Sequence, residues 1–410
     1  MKKRVLFAAL LFSLLFLAAA RAEEAPDLTD QCKFDVSPGK FKIARIYDRD
    51  YGTTYVSGKQ RNPYVALTAP KDQKLHGVYV CFGGSLYPWK AQVKRNGKWE
   101  TVYESAGQFA HEYVSLPEGE REVRLQSAAE KQIEFSISEI FAFGEGKLPA
   151  FVQQWQLPPE KADLLVLSAH PDDEILFFGG AIPTYAGERQ MNVVVAYMTC
   201  GTKSDGTQVR RSELLNGLWE MGVRTYPVIH DFWDKYSKKL DTAYEAWGKK
   251  NTYQFVTGLL RQFKPEVVLT HDVNGEYGHG AHRVCADAVL HCVQTALDAS
   301  AYADSAAQYG VWGVKKVYLH LYRENAVEMD WDQPLTAFGG RTGFEKAQDA
   351  FAWHVSQHKA GQKNAATGKF EYFVVEPRES DYSCYRFGLA YSTVGNDTAG
   401  NDFFENIPGY

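Results

Sequence analysis

Between residues 27 and 146, short apolar runs alternate with Gly, Pro and charged residues, and few stretches carry a helical period. Val78 to Phe82, Glu122 to Leu125 and Ile133 to Ile137 read as strands. Ala91 to Arg95 and Lys98 to Val102 flank Asn96-Gly97, a dipeptide that accepts the positive φ of a type I′ turn, so the pattern predicts a hairpin. The whole region predicts a β-sandwich. A connector from Gly146 to Pro159 follows, punctuated by Pro149, Pro158 and Pro159. Beyond it the period changes. Strands are predicted at Asp163 to Ser168, Asn192 to Met198, Tyr226 to Ile229, Val267 to Thr270 and Lys316 to Leu321. Helices are predicted between and after them: Ile175 to Gly187, Val209 to Met221, Ala243 to Phe263, Ala281 to Ala299 and Phe344 to His358. Strands alternating with helices imply a parallel sheet wound by right-handed crossovers. The tail, rich in Tyr, Phe, Asn and Asp, joins this domain by continuity.

The first residues add a compartment. Met1-Lys2-Lys3-Arg4, an apolar run from Val5 to Ala20 and Ala20-Arg21-Ala22 form the basic region, apolar region and cleavage site of an export signal. The run is short for a stable bilayer span, and no other segment is long and apolar enough to cross one. The expectation is a secreted or periplasmic bacterial protein with its mature chain starting near Glu23. The expected division is a signal peptide at 1–22, a β-sandwich at 27–146 and an α/β domain at 147–410. The chain has 410 residues, enough for large cores in more than one domain, and a net charge of -5 that offers nucleic acid no basic surface. Its six cysteines are too few for a disulfide framework, and no Cys-x-x-Cys spacing provides a thiolate zinc site.

The chemistry gathers at the carboxyl ends of two predicted strands, where open α/β sheets place ligands. Leu164 to Ser168 leads into Ala169-His170-Pro171-Asp172-Asp173-Glu174. Val267 to Thr270 leads toward Gly278-His279-Gly280-Ala281-His282. Two imidazoles and a carboxylate make a common catalytic zinc set with an open position for water, so His170, Asp173 and His282 are the expected ligands of Zn2+, with Fe2+ as the alternative ion. A divalent ion so held lowers the pKa of its water toward neutrality. Asp172 is the expected general base, and His279, protonated, the expected support for a developing oxyanion. The rival for each motif is structural: an Asp capping a helix, or a Gly-rich surface loop carrying two histidines. Of the other histidines, His230, His271, His291 and His320 read as structural or exposed, with His271 the nearest to the pocket.

The second half of the chain resembles the PIG-L-type, LmbE-like N-acetylglucosamine deacetylases. Ala169 to Glu174 matches that family's Ala-His-Pro-Asp-Asp-Glu signature in full. The family's second motif is usually His-Pro-Asp-His; here Gly280-Ala281 replaces Pro-Asp and keeps both histidines in register. Arg210 and Glu213, with Met221-Gly222-Val223 after them, look like its Arg-x-x-Glu helix, and Lys346 with His354 to Gln357 is similar to its C-terminal helix. The resemblance runs from about Leu157 to the C-terminus and implies a Rossmann-like parallel sheet flanked by helices. It also implies the same ligands and base, and makes Arg210 and Asp231 candidate sugar contacts. For Arg210 a helix-surface ion pair with Glu213 is the competing reading.

The first half resembles a galactose-binding-like (discoidin) jelly roll at Gly97 to Trp99, Val123 to Leu125 and Ile137 to Ile140. Such domains often bind sugars; a packing or spacer role stands beside that. Tyr87, Trp89 and Trp99 are the aromatic residues that could stack on a sugar ring. Together these features imply a secreted, metal-dependent N-deacetylase acting on an N-acetylglucosamine-containing glycan, with metal-held water as nucleophile. Two rivals remain: a non-catalytic carbohydrate-binding protein that keeps the fold, and a metal-dependent amidase with a non-sugar substrate.

Overall fold

The computed structural model describes residues 23–37, 42–200, 207–363 and 368–410. The expected signal peptide lies outside them.

The N-terminal domain is an all-β sandwich of two antiparallel sheets. One sheet orders Lys33–Val36, Tyr64–Thr68, Glu122–Ser127, Trp89–Arg95 and Lys98–Ser105. The other orders Tyr55–Gln60, Ile133–Phe143, Leu75–Phe82 and His111–Glu120. Alternate residues of each strand point inward, so Val65, Leu67, Val78, Val80, Val123, Leu125 and Ile137 form one core. The hairpin forms with Arg95 opposite Lys98. Asn96 (φ 51) and Gly97 (φ 75) take the positive φ that a type I′ turn demands. Trp89 is not a sugar platform: it is buried, and its indole N–H donates to Glu112 Oε1 at 3.2 Å. Trp99 is covered by the Arg124 guanidinium, 4.4 Å from its ring centre.

The second domain is a Rossmann-like α/β sheet. Its strands run Val228–Ile229, Val193–Tyr197, Leu164–Ser168, Val267–Thr270, Lys316–His320, Arg386–Ser392 and Ala326–Glu328. The first five are parallel and the last two pair antiparallel. The central strands are buried at every position because helices cover both faces. Leu164, Val166, Val195 and Leu269 enter one core, while Leu165, Leu167, Val194 and Val268 enter the other.

Three elements differ from the sequence pattern. The helix expected over Ile175 to Gly187 is one short turn, Asp173–Leu176, and a π-helical turn, Pro183–Glu188. Gly179 and Gly180 lie between them, pressed so closely to Ala347 and the Trp331 ring that neither position has room for a Cβ. The long helix after Ala243 is two helices, Leu240–Trp247 and Lys249–Phe263, broken at Gly248 with φ 77. The helix after Thr342 stops at Phe351, and the tail supplies the strand Arg386–Ser392.

The domains meet on the helix Thr207–Glu220. Arg211 Nη2 donates to the carbonyls of Phe82 (2.9 Å) and Gly84 (2.8 Å), and Tyr226 Oη accepts from Ala110 N. His111 lies buried between Gln153 Oε1 at 2.8 Å and Ser212 Oγ at 3.3 Å. Among the described residues no helix is long and apolar enough to cross a membrane.

Candidate active site

The chain leaves the strand Leu164–Ser168 into a tight loop that its own polar groups hold. Ser168 Oγ donates to the His170 carbonyl, and His170 N donates to Asp173 Oδ2 at 2.8 Å. Asp172 takes φ 105, a conformation costly for any residue with a side chain, and persists because it is gripped on both sides. Its N–H donates to Glu174 Oε2 at 2.8 Å. Its Oδ1 lies 3.2 Å from Arg210 Nη2, and Arg210 also donates to the Pro171 carbonyl. Neighbouring carboxylates therefore diverge: Asp172 faces Arg210, while Asp173 Oδ2 faces His170 Nδ1 (3.0 Å) and His282 Nε2 (3.3 Å).

The second half of the site comes from the turn Glu276–Gly278 and the helix Gly280–Thr295. His279 caps that helix, its Nδ1 accepting from Ala281 N at 3.2 Å. The proton of the neutral ring is therefore on Nε2. His279 lies against His282 and His170, with ring centres 4.6 and 4.7 Å away. His170, Asp173 and His282 each offer a ligand atom within 4.8 Å of the others, all three buried. Two imidazoles and one carboxylate suit zinc or ferrous iron. Each imidazole also has a carboxylate behind it: Asp234 Oδ1 lies 3.3 Å from His170 Nε2, and Glu276 Oε2 lies 2.8 Å from His282 Nδ1. Such backing orients metal-binding histidines.

The electrostatics follow the layout. Burial chiefly raises the Asp172 pKa, to about 6, against the opposing pull of Arg210. Burial alone would raise Asp173 too, but His282 and His170 reverse it and hold that carboxyl well below its usual range. Burial, with His170 and His282 beside it, drops His279 to about 2. Burial and the cap hydrogen bond both favour the neutral ring with its proton on Nε2 over the imidazolium expected from sequence.

These groups line an open cleft of about 360 Å³ with Arg210, Tyr277, Gln357 and Phe373. The expected residues His170, Asp172, Asp173, Arg210, His279 and His282 all come together there. Asp231 does not: its side chain is fully exposed, 3.5 Å from His230. Three residues on, Asp234 occupies the cleft. Arg210 does not make the surface pair with Glu213. It is buried against Asp172, and Glu213 accepts instead from Ser356 N (2.7 Å) and Ser356 Oγ (2.6 Å). His271 is fully buried behind the cleft, its Nε2 accepting from Ala169 N at 3.0 Å. Sequence reasoning passed over Asp234 and Glu276. Asp234 lies in a loop without period, but Glu276 is an acidic residue three positions before His279, a signal that was there to be used.

Residues 165–293 match the family model described as PIG-L, GlcNAc-PI de-N-acetylase. A 1D-myo-inositol 2-acetamido-2-deoxy-alpha-D-glucopyranoside deacetylase of Catenulispora acidiphila is 24% identical over 213 residues, covering 46% of this chain and 64% of that protein. The N,N'-diacetylchitobiose deacetylase of Pyrococcus horikoshii, in complex with an inhibitor, aligns at 19% identity over 50% of this chain and 75% of its own, with a TM-score of 0.38. On the N-terminal side, a chain described as CpGH89CBM32-6 from Clostridium perfringens aligns at 18% identity over 29% of this chain and 97% of its own, with a TM-score of 0.26. The similarity to the PIG-L family lies in residues 165–293 of this chain.

Proposed function

We propose that this chain is a metal-dependent N-deacetylase that hydrolyses the acetamide of an N-acetylglucosamine-containing glycan to a free amine and acetate. The observation that carries the reading is the convergence of two distant motifs into one buried donor set, with a spare, clamped carboxylate beside it. The curated relative acts, by its name, on a 2-acetamido-2-deoxy-glucopyranoside, which supports an acetamido sugar as the substrate class. His170, Asp173 and His282 would hold zinc or ferrous iron. When bound, such an ion acidifies water and polarises a carbonyl.

The chain's own groups do the rest. Asp172 accepts the proton of the attacking water and delivers it to the leaving nitrogen, so that water and amide become acetate and amine. Arg210 holds Asp172 Oδ1 at 3.2 Å and leaves Oδ2 for that work. His279 donates through Nε2–H to the carbonyl oxygen as negative charge builds on it. Tyr277 and Phe373, with ring centres 5.3 Å apart, form an apolar wall that limits water. The same proposal includes an export signal at 1–22, a galactose-binding-like β-sandwich at 27–146, a deacetylase domain at 147–410, and action outside the cytoplasm.

The test is acetate release from N-acetylglucosamine oligomers by the mature chain loaded with zinc or iron, beside Asp172→Asn. Turnover by the wild type and its loss by 100-fold or more in the variant (roughly the share of one general base), with metal still bound, is expected. Equal turnover in the two, or none in the wild type with any divalent ion, would overturn the reading.

A further inference from the structure

Behind the cleft one carboxylate is surrounded by donors. Glu276 is completely buried, and both of its oxygens are fully used. Oε2 accepts from His271 Nδ1 at 2.9 Å and His282 Nδ1 at 2.8 Å. Oε1 accepts from His320 Nδ1 at 2.6 Å and from Asp272 N at 3.2 Å. Four donors on two oxygens require the ionised form, and each imidazole must then carry its proton on Nδ1.

The far nitrogens show what this arrangement achieves. With Nδ1 committed to Glu276, His282 turns Nε2 toward Asp173 Oδ2 at 3.3 Å, where the donor set converges. His271 is left with its lone pair on Nε2, which accepts the backbone N–H of Ala169, the first residue of the first motif. His320 Nε2 faces the Ser383 carbonyl at 3.0 Å, so both nitrogens of this ring face acceptors. His271 directly follows the strand Val267–Thr270, His320 ends its neighbour Lys316–His320, and His282 sits in the first turn of the helix Gly280–Thr295. A single side chain thus ties the second motif to the loop of the first.

We infer that Glu276 is the positioning residue of this site, setting the tautomer and orientation of His282 and clamping the two motifs together through His271, before any ion arrives. The inference rests on the metal reading above for its purpose, but not for its geometry. Glu276→Gln keeps the shape and removes the function: the amide oxygen can still accept, while the amide NH2 meets donors it cannot accept from.

Two measurements test it. The first uses 15N-histidine NMR on the metal-free wild type, with His282 assigned by its Ala variant. His282 is expected with its Nδ1 protonated toward Glu276, whether or not Nε2 also carries a proton toward Asp173; a ring with Nδ1 bare and its proton on Nε2 alone would overturn the inference whatever the metal results. The second is metal affinity by chelator competition. Glu276→Gln should bind about 10- to 100-fold more weakly than wild type with an unchanged near-UV spectrum. The control is Glu112→Gln, which removes a buried carboxylate of the sandwich that accepts from Trp89, Ser105 and Tyr103. It should lose stability and keep wild-type affinity. A folded Glu276→Gln that binds as tightly as wild type would overturn the inference. If that variant does not fold, the tautomer of the wild type decides. If the wild type itself binds no metal, the functional reading fails while the tautomer result still judges Glu276.

Discussion

Asp172 shows how a single residue is made available for chemistry at the expense of local comfort. Its positive φ separates it from Asp173, so two adjacent carboxylates address different partners. The Arg210 that restrains it is itself buried, and breaking a buried pair from one side leaves a charge without compensation. Arg210→Ala should cost about 3–5 kcal/mol in urea unfolding, and a loss below about 1 kcal/mol would mean that Asp172 has found another partner. Asp234→Asn tests the carboxylate behind His170: metal affinity should drop about 10-fold with little change in stability. At this scale the sequence was most readable. Imidazoles and carboxylates at the ends of two strands form a candidate donor set by type and spacing, so the cluster of His170, Asp173 and His282 was in view from the start. Asp231 was chosen over Asp234 because nothing in an aperiodic loop distinguishes the carboxylate that turns inward from the one that turns to solvent. The charge state of His279 depended on its cap hydrogen bond and its burial, and neither is written in the residues around it.

At the scale of elements, the helix Thr207–Glu220 carries opposite duties on adjacent residues. Arg210 reaches Asp172 in the loop after Leu164–Ser168, while Arg211 reaches the carbonyls of the sandwich. Arg211→Ala should weaken the docking of the domains by about 1–3 kcal/mol, the worth of hydrogen bonds from a charged donor. It should also lower turnover, since the same backbone positions Arg210. Separation of one unfolding transition into two would register the first effect, and acetate release at saturating substrate the second. Period and turn chemistry made most elements legible: the Asn96-Gly97 hairpin and the five parallel strands follow directly from pattern. The broken helix after Asp173 did not, because Gly179 and Gly180 answer to Ala347 and Trp331, far along the chain. The strand Arg386–Ser392 was equally hidden, since its partner Lys316–His320 decides its conformation.

For the whole molecule, His111 links pH to the union of the two domains. Burial, reinforced by Arg211 nearby, lowers its pKa to about 3, while Gln153 opposes. The unfolded chain takes up a proton near pH 6.5 that the folded chain refuses. Stability is therefore fully present above pH 6.5 and is lost as pH falls toward 3, by at most about 1.4 kcal/mol for each pH unit. Urea midpoints of wild type at pH 7 and pH 5 should differ more than those of His111→Asn; identical differences would show that another group governs the acid limb. The adjacency of Arg210 and Arg211 carries a consequence for ancestry. A recombination that exchanged the sandwich for another module would need to supply two carbonyl acceptors for Arg211 and an imidazole for Ser212 at the same places, or loosen the clamp on Asp172. The border between the domains is a border of architecture, and heredity should treat the two as one unit.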